Sequence, residues 1–129
     1  MLLRGMLFVF VAHHSIQAKE QERGDVVSAA AEVERLKLAG NKHFETACAL
    51  SGTYYSDENQ IDAEFEQSML QWENALAKLG SAPLAATITA NRLAVVLHCN
   101  KAAALLKQHK FVPALVECNK VRSSAVLQS

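Results

Sequence analysis

The stretch from Leu97 to Val121 constrains this chain most. A polar break at His109-Lys110 divides two runs of helical periodicity, one closing at about Gln108 and the other running from Phe111 or Val112 to about Val126. Ala102, Ala103 and Ala114 stand where two helices would cross closely, and Leu105, Phe111, Leu115 and Cys118 stand where bulk would fill the space around that crossing. The pattern predicts a helical hairpin with a tight seam.

Upstream, the chain supplies two more helices. Helical character begins near Val26 and continues to about Leu50, with Leu36, Ala39, His43 and Phe44 recurring on one face while Glu32, Glu34, Arg35 and Lys42 lie mostly elsewhere. Gly40 inside that helix costs about 1 kcal/mol relative to alanine, so it signals a close approach of another element. Ser51 to Gln60 breaks the pattern. A second helix then runs from about Ile61 to Leu79, its stripe of Phe65, Met69, Trp72, Leu76 and Leu79 stepping by three and four residues, and Gly80 ends it. Ser81-Ala82-Pro83 opens a third helix, with Pro83 in the first turn where its missing N–H costs little. The expected fold class is all-α, built of antiparallel helical hairpins.

With 129 residues, half of them hydrophobic, one modest core is expected. Thirteen basic and thirteen acidic residues cancel, which argues against a globally basic nucleic-acid binder. Cys48, Cys99 and Cys118 have no paired metal-ligand spacing and read as buried free thiols of a reducing compartment, hence a cytoplasmic location. Residues 1–24 stand apart as a leader or disordered segment before a helical domain over 25–129, and Lys19 to Asp25 read as a charged linker. Met1 to Arg4 and the apolar run Met6 to Ala12 outline a weak secretory signal, which would place the protein in the secretory pathway if residues 1–18 act as one; the run is too short to span a membrane. His13-His14 have no further ligand nearby and read as solvated. No phosphate loop, nucleophile elbow or acid–base constellation is present, so the expectation is a non-enzyme with no catalytic residue, metal or cofactor.

The small and large residues at Leu36, Gly40, Phe65, Ser68, Trp72 and Ala75, and again at Ala102, Phe111, Ala114, Cys118 and Val121, resemble two units of a tetratricopeptide repeat. The match covers about Val33 to Val121, with Gly40 and Ala102 farther apart than the repeat's usual ~34 residues because of a longer loop and a longer lead into the third helix. Such spacing is similar to the first two repeats of immunophilin-type, chaperone-binding domains. The resemblance implies a short tetratricopeptide-like α-solenoid and a co-chaperone adaptor. A piece of a repeat-containing peptidyl-prolyl isomerase is an alternative.

In that family a carboxylate clamp in the concave groove holds the Glu-Glu-Val-Asp tails of heat-shock chaperones. Its motif resembles Lys37 with Gly40-Asn41 and Asn100 with Lys101-Ala102-Ala103, so the resemblance assigns peptide-carboxylate binding to Lys37, Asn41 and Asn100. The chemistry is consistent, since Lys37 and Asn41 are four residues apart on one helix face and both can donate to a carboxylate. Singly, each could be a solvated or capping residue. His43 and His98 read as packing or groove-edge residues, and Trp72 as core. The family's third repeat, with two further basic residues, is absent, and Lys120 and Arg122 do not replace them. A stack normally needs about three units. The last helix is therefore expected to expose Leu115, Val121 and Val126, as in a fragment, a shortened isoform or a scaffold that self-associates through this face.

Overall fold

The computed structural model describes the backbone of residues 2–54, 57–81 and 87–128, and within these the side chains of residues 20–123 apart from residue 22. Among the described residues four helices follow one another: α1 (Leu2–Ser51), α2 (Glu58–Leu79), α3 (Ile88–Lys107) and α4 (Phe111–Gln128). The described residues hold no strand. α1 packs on α2, α2 on α3 and α3 on α4, giving an all-α stack of helical hairpins. Among the described residues no helix is long and apolar enough to cross a membrane.

The stripe on α2 does what its period requires. Phe65, Met69, Trp72 and Leu79 are buried with the small residues Ser68 and Ala75 between them, and they meet Val33, Leu36, Phe44 and Ala47 of α1. Phe44 sits edge-on to Phe65 at 5.7 Å and tilted against Trp72 at 5.9 Å. Gly40 makes this crossing close: a Cβ there would lie 2.5 Å from Trp72 Cδ1 and 2.9 Å from Cε2. Only a residue without a side chain fits. Asp57 caps α2 by accepting from Asn59 N at 2.9 Å, and Thr87 caps α3 by accepting from Ala90 N at 3.0 Å.

The α3–α4 turn is built without glycine. Lys110 N donates to Leu105 O at 2.9 Å and His109 N to Leu106 O at 3.0 Å, the paired bonds of a Schellman motif. His109 takes the left-handed position at φ 60°. Gln108 and Lys110 then reach back to Glu66 of α2, at 3.2 and 2.9 Å, fastening the turn to the preceding hairpin.

Several expectations are corrected. The charged stretch Lys19–Asp25, expected as a linker, is helical, and α1 continues unbroken through it. Glu, Gln, Lys and Arg are good helix formers, and Gln21 Nε2 donates to Asp25 Oδ1 one turn on at 3.2 Å. The stretch shows no apolar period because the core begins only at Val26 and Ala29. Phe111, Leu115 and Cys118 do not fill the α3–α4 crossing: they are exposed, as is Ala103, while Ala102, Leu105, Ala114 and Glu117 are buried at the seam. Cys99 and Cys118 are exposed and Cys48 is half-buried, so burial of all three thiols does not hold. Leu115 is exposed as expected, Val121 is half-buried, and the side chain of Val126 lies outside the described residues. The side chains of the signal-like segment and of His13-His14 lie outside them as well, and so does the expected start of α3 at Pro83.

Candidate functional site

On α1, Lys37, Asn41 and Glu45 follow at intervals of four residues and so share one face, with Phe44 beside them. That face, the edge of Trp72 from α2, and Val96 and Asn100 from α3 line one open groove of about 480 Å³. The three residues of the motif, Lys37, Asn41 and Asn100, thus border a common space although they come from two helices.

Trp72 organises the near wall. Its Nε1 donates to Asn41 Oδ1 at 3.2 Å and to the Lys37 carbonyl at 3.3 Å. An indole nitrogen can only donate, so the Asn41 carboxamide must turn its oxygen to the ring, which leaves its NH2 as a donor for the groove. Lys37 pairs with Glu34 at 3.3 Å on the shoulder of the helix, and it is half-buried. Asn100 is half-buried and also carries two donors. The arrangement offers one ammonium and two carboxamides to an anion, with Phe44 and Val96 supplying an apolar border. Glu45 adds a carboxylate to the same lining.

A second set of charged residues was not singled out by the sequence. Lys101, 7% exposed, bridges Glu73 of α2 at 3.3 Å and Glu117 of α4 at 3.0 Å. Glu117, 6% exposed, also meets His98 Nδ1 at 2.7 Å and Lys120 at 3.2 Å. Burial pushes the Glu117 carboxyl up, but hydrogen bonds from His98, Lys101 and Lys120 together outweigh it and hold the group down at about 2. Each charge here is answered by another, as at Lys110 and Glu66, so the cluster ties α2, α3 and α4 together and leaves little to offer a ligand. Its only signal in the sequence is spacing: His98 and Lys101 lie one turn apart on α3, as do Glu117 and Lys120 on α4. His43 does not line the groove; its Nδ1 meets Glu64 at 2.7 Å, joining α1 to α2.

Comparison with models of known families, with curated proteins and with solved structures finds no match to this chain.

Proposed function

We propose that this chain is a non-catalytic adaptor of tetratricopeptide type that captures a partner protein by the terminal carboxylate of its tail. The observation that carries this reading is the common groove of Lys37, Asn41 and Asn100, in which the Asn41 amide is held donor-outward by Trp72. A heat-shock chaperone tail is the partner that the family resemblance implies, and a co-chaperone role follows from it. Three free cysteines, two of them exposed, suit a reducing cytoplasm. The test is a calorimetric titration with a peptide ending in Glu-Glu-Val-Asp beside its C-terminally amidated twin. Binding of the free acid alone, weakened in Asn100→Ala, is the expected outcome; equal binding of both peptides overturns the reading.

A second reading rests on α4. Phe111, Val112 and Leu115 are 63%, 74% and 60% exposed, an apolar face that suits a scaffold pairing through its last helix. Sedimentation over a range of concentrations separates the two readings. Self-association abolished by Leu115→Asp favours the scaffold, and a monomer at all concentrations removes it.

A further inference from the structure

Glu45 does not belong in a groove built only for a multiply acidic tail. It lines the same space as Lys37, Asn41 and Asn100, so among the described residues the lining holds one cation and one anion. The cation has one partner already, since Lys37 pairs with Glu34 at 3.3 Å. The anion has none. Glu45 is exposed and, among the described residues, makes no hydrogen bond or ion pair, whereas Glu64, Glu66, Glu73 and Glu117 all have basic partners. A free carboxylate on a groove wall repels an approaching carboxylate and attracts an ammonium or guanidinium.

Position along α1 sets where that attraction acts. Lys37 and Glu45 are two turns apart, about 12 Å along the helix axis. An extended peptide covers that distance in about three to four residues. We propose that Glu45 is a specificity residue that directs the groove to tails carrying a Lys or Arg three or four residues before the terminal carboxylate, and against tails acidic at those positions. The inference rests on the carboxylate-binding reading given above and narrows it. A Glu-Glu-Val-Asp tail is then the weaker ligand, because the first of its two glutamates falls where Glu45 stands.

The test compares four fluorescein-labelled peptides by anisotropy at low salt: one ending in Glu-Glu-Val-Asp, one ending in Lys-Lys-Val-Asp, and the amidated form of each. They are titrated with the full chain and with Glu45→Gln, both checked for helicity by circular dichroism. The expected result is that the Lys-Lys free acid binds about fivefold more tightly than the Glu-Glu free acid, the scale of one or two exposed charge pairs. The preference should shrink as salt is raised and disappear in Glu45→Gln. Equal affinities, or tighter binding of the acidic tail by the full chain, overturn the role of Glu45 while leaving carboxylate capture in place. A preference that persists in Glu45→Gln overturns it too. Failure of both free acids to outbind their amidated forms overturns carboxylate capture, and this inference with it.

Discussion

Gly40→Ala is the substitution whose sign the structure decides against local propensity. In an exposed helix the exchange stabilises by about 1 kcal/mol, because alanine loses less backbone entropy. At Gly40 the new methyl would stand 2.5 Å from Trp72 Cδ1 and 2.9 Å from Cε2, and Trp72 is 2% exposed, with no room to retreat. Forcing extra volume into a packed core costs about 1–3 kcal/mol. Displacing the indole also strains the bonds from Nε1 to Asn41 Oδ1 and to the Lys37 carbonyl, and a buried N–H left unpaired costs about 1–3 kcal/mol. Against the gain in propensity, the expected net effect is a loss of about 2 kcal/mol in urea unfolding followed by circular dichroism. Gly24→Ala is the internal control, since a Cβ there meets nothing within 4 Å. It should be neutral or stabilising. In a Trp72→Ala background, which removes the whole ring that the methyl meets, Gly40→Ala should cost markedly less. A Gly40→Ala protein as stable as the parent or more so would refute the close-crossing argument.

Three further outcomes follow from the remaining geometry. Glu117→Ala should cost about 3 kcal/mol, because it leaves the buried Lys101 with only its exposed partner Glu73 and removes the contact to the half-buried His98, whereas Glu73→Ala, at an exposed partner, should cost under about 1 kcal/mol by the same unfolding assay. The Glu117 carboxyl, held at about 2, lies below the ~4.3 of an unfolded glutamate, so its contribution is complete above pH ~4.3 and is lost as pH falls toward 2. Stability of the parent should therefore fall more steeply across that window than stability of Glu117→Gln. His109→Gly should stabilise the fold by up to about 1 kcal/mol in the same assay, because glycine relieves the left-handed φ of 60°; the gain is reduced by loss of the ring contact with Phe111 at 6.1 Å.

The legible parts of the fold were those where period and burial agree. Phe65, Met69, Trp72, Leu76 and Leu79 step by three and four and pack together, Leu76 half-buried and the others buried, and an unfavourable glycine at position 40 was a sound sign of close approach. Lys37 and Asn41 could be placed on one face from their spacing alone, but Asn100 joined them only through the repeat resemblance, since no local rule links α1 to α3. Other features were hidden for physical reasons. α4 is apolar on several sides, so periodicity does not say which side turns inward; the structure buries Ala114 and Glu117 and exposes Phe111 and Leu115. Lys101 and Glu117 look like surface residues by type, and their burial depends on partners from other helices. The helix through Lys19–Asp25 was missed because an unpacked helix leaves no apolar period to find.

Trp72 is the only tryptophan in the chain, and its indole N–H contacts the Asn41 carboxamide on the wall of the groove. A 15N-labelled sample therefore has one indole resonance that reports on this site. In a two-dimensional NMR titration with a free-acid tail peptide, that signal and the side-chain amides of Asn41 and Asn100 should move together and saturate at a common ligand concentration, and the amidated peptide should leave them in place. Shifts confined to residues of α4, with the Trp72 indole unmoved by either peptide, would contradict capture of a terminal carboxylate in this groove.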